Sequence, residues 1–139
     1  RPRSKLDCIT YGCITTPQSK SNSERLLLLE KELMVVLKRY QPGVAGLESL
    51  FFFKNLKTVM PVSEARGVIL LTLARRKIPI YEFTPLQVKM TIAGYGRAEK
   101  KQVQRMVKEI LSLPEIPKPD DAADGLAMAI ACSLMQRPA

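Results

Sequence analysis

Pro117-Lys118-Pro119-Asp120-Asp121-Ala122-Ala123-Asp124-Gly125-Leu126-Ala127-Met128-Ala129-Ile130 reads as the opening of a helix with acids on one face and apolar residues on the other. Asp121 and Asp124 stand three apart and share a helical face, while Ala123, Leu126, Ala127, Ile130 and Leu134 form the stripe behind them. Two carboxylates presented together are oxygen donors for a hard divalent cation, and two ions held in this way can drive phosphodiester hydrolysis. The plainer reading is capping, because an acid in a first helical turn answers free N–H groups and the helix dipole, and Asp120 or Asp121 suits that use.

A second acid shifts the balance between them. Val44-Ala45-Gly46-Leu47-Glu48-Ser49-Leu50-Phe51 is a short apolar strand interrupted by Glu48 alone. A charged side chain in such a strand takes a partner. An arginine is the ordinary one. Convergence with Asp121 and Asp124 is the other solution, and three carboxylates brought together repel unless cations sit among them.

Around these two segments the chain alternates strands and helices. A strand is predicted over residues 6–15, and Ser23-Glu24 opens a helix that runs to about Tyr40 with Leu26, Leu29, Leu33 and Leu37 inward, ended by Pro42. The next helix spans about 59–77, with Pro61 in its first turn and Val62, Ala65, Ile69, Leu70 and Leu73 on the apolar stripe. Pro79-Ile80-Tyr81-Glu82-Phe83 is a short strand, and Pro85 starts the helix that carries Lys89. Gly94 and Gly96 mark a turn into a helix over 98–113, with Val103, Met106, Val107 and Ile110 inward. The proline-rich segment 114–119 connects to the acidic helix. This order predicts an α/β domain with parallel pairing in its second half.

The ordered motifs Gly46-Leu47-Glu48-Ser49-Leu50-Phe51, Glu64-Ala65-Arg66-Gly67-Val68, Thr84-Pro85-Leu86-Gln87-Val88-Lys89, Gly94-Tyr95-Gly96-Arg97-Ala98-Glu99-Lys100 and Asp120-Asp121-Ala122-Ala123-Asp124 resemble the RuvC family of crossover-junction endodeoxyribonucleases, the bacterial Holliday junction resolvases. The resemblance implies an RNase H-like fold, a mixed sheet flanked by helices, in one nuclease domain over residues 1–139. It also implies a homodimer that nicks two opposed strands of a four-way DNA junction, with two Mg²⁺ ions per site (or Mn²⁺), alongside a branch-migration complex. Of the family's four acidic positions, three match Glu48, Asp121 and Asp124 as catalytic and metal-holding residues. The fourth lies on a first strand that the chain does not contain, so by resemblance the first two strands are missing and the domain is N-terminally incomplete. Lys89 and Lys100 match basic residues near the scissile phosphate. Phe51 matches an aromatic that contacts bases at the junction centre, and Lys54, Lys57, Arg97 and Lys101 are further candidates for DNA backbone contacts. Two alternatives accompany the resolvase reading. One is an inactive junction-binding protein, given the absent first acid, and the other is a different RNase H-like nuclease.

The charge distribution agrees with a nucleic-acid partner. The net charge is +9, and residues 51–108 hold 12 Lys and Arg against Glu64, Glu82 and Glu99, so the whole excess lies in that segment while the flanks cancel. Carboxylates hold cleavage ions and Lys and Arg attract phosphate. Cys8, Cys13 and Cys132 lack metal-type spacing and the chain has no His, which excludes an ordinary zinc site. They read as reduced, mostly buried thiols of a cytoplasmic protein. Neither a membrane span nor a signal peptide is predicted.

Overall fold

The computed structural model describes residues 6–49 and 56–135. Its elements are α1 (Asn22–Tyr40), β1 (Ala45–Glu48), α2 (Leu56–Arg75), β2 (Ile80–Phe83), α3 (Pro85–Ala93), α4 (Lys100–Ile110) and α5 (Asp120–Met135). β1 and β2 form a two-stranded sheet. Ala45 N–H donates to Pro79 C=O and Ser49 N–H to Phe83 C=O, a register that advances in the same direction on both strands and makes the pairing parallel. The chain divides into two compact units, one of Arg1–Cys13, Gly46–Ser49 and Glu82–Ala139, the other of Ile14–Ala45 and Leu50–Tyr81.

In the second unit α1 and α2 pack on each other. The start of α1 is set by a capping box: Ser21 Oγ accepts from Glu24 N–H at 3.3 Å, and Glu24 Oε1 accepts from Ser21 N–H at 3.0 Å. These bonds to Ser21 hold the Glu24 carboxyl below its ordinary pKa. Gln41 ends the helix in the left-handed region at φ 46°, one residue before Pro42. We expect Ser21→Ala to lower stability by about 1 kcal/mol, read from the urea midpoint at unchanged slope.

Leu37, Leu73 and Ile78 are buried at the centre of this unit, with Leu33, Ala45, Ile69 and Ile80 around them. Thr72 is fully buried and satisfies its hydroxyl by donating to Val68 C=O at 2.7 Å. α2 begins at Leu56 and ends at Arg75, so Pro61 lies inside the helix and not in its first turn. Proline there removes one backbone bond close to the N-terminus, a loss the long helix tolerates. Past Arg75 the N–H groups of Lys77 and Ile78 fold back onto Ala74 and Leu73 C=O, which stops the helix two residues before the predicted end. Val62, predicted inward, is exposed.

In the first unit α3, α4 and α5 pack against one another. Their shared core contains Phe83, Val88, Ile92, Val107, Leu126 and Ile130. Thr84 caps α3 in a box with Gln87, and Gly94 closes it at φ 87°, a conformation that glycine adopts without strain. α4 starts at Lys100 and stops at Ile110, shorter at both ends than predicted, and Met106, predicted inward, is exposed on it. α5 buries Ala123, Ala127 and Ala131 at four-residue spacing, a stripe narrow enough to admit a close neighbour.

The strand predicted over 6–15 does not form. Alternating apolar residues make a strand only against a hydrogen-bonding partner, and no described strand pairs with this segment. Leu6 and Cys8 instead rest on the core of the first unit while Ile9 projects into solvent. Nor are the thiols mostly buried: Cys132 is, Cys8 is half-buried and Cys13 is exposed. No described helix is long and apolar enough to cross a membrane.

Candidate active site

Glu48, Lys89, Lys100, Asp121 and Asp124 all belong to the first unit. The local geometry of β1 explains how Glu48 meets α5. A Cβ on Gly46 would lie 2.9 Å from Cys132 Cβ and 3.3 Å from Met128 Cγ, so the strand backbone runs directly against α5 at that point. Glu48 is two residues further and points to the same side of the strand. Two strand residues advance about 6.6 Å, close to one helical turn of about 5.4 Å. The turn of α5 preceding Met128 carries Asp124.

The electrostatics agree with this register. Burial pushes the Glu48 carboxyl above its ordinary pKa, and the negative charge of Asp124 pushes it further. The sequence reading missed Gly46. A glycine inside a strand is the usual mark of close backbone approach and was the signal available.

Positive charge reaches the same face from α4. Lys100 Nζ lies 3.4 Å from Asp120 Oδ2 and 3.9 Å from Asp124 Oδ2. Gln104, one turn along α4, donates from Nε2 to Asp120 Oδ1 at 3.2 Å. Asp120, which the sequence left open with Asp121 as a capping acid, therefore faces α4 together with Asp124. The backbone oxygen of Pro119 meets the N–H groups of Ala122 and Ala123 at the start of α5.

Asp124 is the shared neighbour: its charge acts on Glu48, and its carboxylate stands 3.9 Å from Lys100. Asp121 is exposed on the first turn of α5 and lines a shallow recess with Lys118, Pro119 and Asp120. Among the described residues no group of three or more carboxylates or thiols is close enough to hold a metal ion. Glu48 and Asp124 nevertheless suit a hard cation: both offer oxygen, and their mutual repulsion is what such an ion relieves. Lys89 is half-buried on α3, and Arg97 and Lys101 are exposed. Lys57 is exposed in the second unit. Phe51 and Lys54 lie outside the described residues.

Comparison with known proteins gives consistent matches. A family model described as crossover junction endodeoxyribonuclease RuvC matches residues 2–132. The chain is 54% identical over 125 residues to the crossover junction endodeoxyribonuclease RuvC of Thermosipho melanesiensis, which covers 90% of this chain and 80% of that protein. It is 54% identical over 127 residues to the protein of the same name from Caldicellulosiruptor saccharolyticus, covering 91% of this chain and 76% of the other. Among solved structures it is similar to Thermus thermophilus RuvC in complex with a Holliday junction substrate, with a TM-score of 0.83 at 33% identity over 88% of this chain and 74% of that one.

Proposed function

The chain belongs to the RuvC family of crossover junction endodeoxyribonucleases, with that family's RNase H-like α/β fold, and from this premise we propose that it cuts four-way DNA junctions by metal-dependent hydrolysis. The observation that supports the reading most is the meeting of Glu48 with Asp124 beside Lys100. In this reading residues 1–139 form one nuclease domain of a homodimeric cytoplasmic enzyme that works with a branch-migration complex.

Glu48 and Asp124, joined by Asp121 from the same helix, hold Mg²⁺, with Mn²⁺ as the alternative. When bound, two ions per site would supply the activation of water and the stabilisation of the departing oxygen. Lys100 and Lys89 offset the phosphate charge that grows during cleavage. Phe51 stacks on an unpaired base, and Lys54, Lys57, Arg97 and Lys101 contact backbone phosphates. A twofold dimer places two such sites on the two arms of a junction with matching symmetry.

The test compares a synthetic four-way junction, a linear duplex and an RNA–DNA hybrid, each with Mg²⁺ and with chelator. Paired nicks in the junction alone, lost with chelator, are expected. Junction binding without nicks would favour a binding protein, and cleavage of the hybrid would favour another RNase H-like activity. Replacing Arg97 or Lys101 by Ala is expected to weaken binding evenly across junction sequences and lower the slope of log affinity against log salt by about 1 each. An unchanged slope would remove that residue from the phosphate contacts.

A further inference from the structure

We propose that Asp120 is a positioning residue for Lys100, a seat on α5 that aims the ammonium toward the reacting phosphate and keeps it from serving Asp124 alone. The inference rests on the reading of Lys100 as a phosphate-facing group. Four side chains form a two-by-two arrangement between helices: Lys100 and Gln104 one turn apart on α4, Asp120 and Asp124 one turn apart on α5.

Both oxygens of Asp120 are engaged, Oδ1 by Gln104 at 3.2 Å and Oδ2 by Lys100 at 3.4 Å, whereas Lys100 stands further from Asp124, at 3.9 Å. A carboxylate held at both oxygens is a fixed point for a long and otherwise freely rotating lysine. A cation taken up by Asp124 repels the ammonium, and the charge on Asp120 keeps it within reach of the site. Lys100, Asp120 and Asp124 are 56%, 68% and 61% exposed, so the pairs add little to stability and act chiefly on where the ammonium sits.

Asp120→Asn keeps an acceptor for Gln104 and drops the charge; Asp120→Glu keeps the charge. The expected result is a loss of about 10- to 100-fold in the single-turnover cleavage rate for the Asn variant, without weaker junction binding, because small misplacements of a charge-stabilising group act on the rate. Recovery with Glu is expected, as is no further loss when Asp120→Asn is added to Lys100→Met. Additive losses in that double-mutant cycle would overturn the proposal. A second arm needs no DNA: the side-chain ¹⁵Nζ signal of Lys100, identified by its disappearance in Lys100→Arg, is expected to move in Asp120→Asn. An unmoved signal would overturn the tether. A wild-type chain that cuts no junction would refute the proposed function, and the resonance arm would then decide the tether by itself.

Discussion

Glu48→Gln is expected to slow junction cleavage severely and, at neutral pH, to raise the melting temperature of the fold. The first effect follows from removing a charged oxygen donor from the proposed ion site, a loss on the order of 10²- to 10³-fold in rate. The second follows from the environment of the carboxyl. Burial and the charge of Asp124 raise its pKa above the ordinary 4.5, so the folded state binds more protons than the unfolded state between that value and the raised one. Stability therefore falls as pH rises through this window. Below pH 4.5 both states are protonated and the penalty disappears. The neutral amide escapes the penalty at every pH, so the melting-temperature difference between variant and parent is expected to be positive at pH 7 and to vanish as the pH falls below 4.5. Thermal unfolding at a series of pH values reads it directly. A variant less stable than the parent at pH 7 would show that Glu48 supports the fold and is not held there against it.

Gly46→Ala is expected to lower stability and activity together while leaving every charged group in place. The added methyl meets Cys132 Cβ at 2.9 Å, and a Cβ is fixed to its helix backbone, so β1 and α5 must separate. Overpacking of this kind costs about 1–3 kcal/mol. Because Glu48 and Asp124 sit one repeat further along the same strand–helix contact, the shift reaches the site, and cleavage is expected to fall even at temperatures where the variant is fully folded. Gly125→Ala serves as the control: among the described residues no atom outside its own helix backbone and chain neighbours lies within 4 Å of its added methyl, and alanine favours the helix by about 1 kcal/mol. Equal activity of the two variants would detach the ion site from the packing of β1 on α5.

Much of the fold was legible because its signals are local. Ser23-Glu24 placed the start of α1 to within one residue and Pro85 marked the start of α3, where the structure adds the capping boxes of Ser21 with Glu24 and Thr84 with Gln87. The failures are non-local. Residues 6–15 have the composition of a strand but lack a described partner, and pairing is a property of two segments. Pro61 resembled a helix start, yet tertiary packing of α2 on α1 carries the helix through it. At the site, Glu48, Asp121, Asp124 and Lys100 were proposed from their motifs, and the structure sets Asp124 near Glu48 and Lys100. Asp120 could not be told from a capping residue until α4 supplied Lys100 and Gln104, and the demand on Gly46 arises only where α5 crosses it.

Binding of Mn²⁺ to the DNA-free protein, followed by electron paramagnetic resonance, tests most directly whether Glu48 and Asp124 form one cation site. The expected result is binding that is lost or much weakened in Glu48→Gln and equally in Asp124→Asn, two residues 76 positions apart in sequence. Binding at parental affinity in either variant would contradict a shared site.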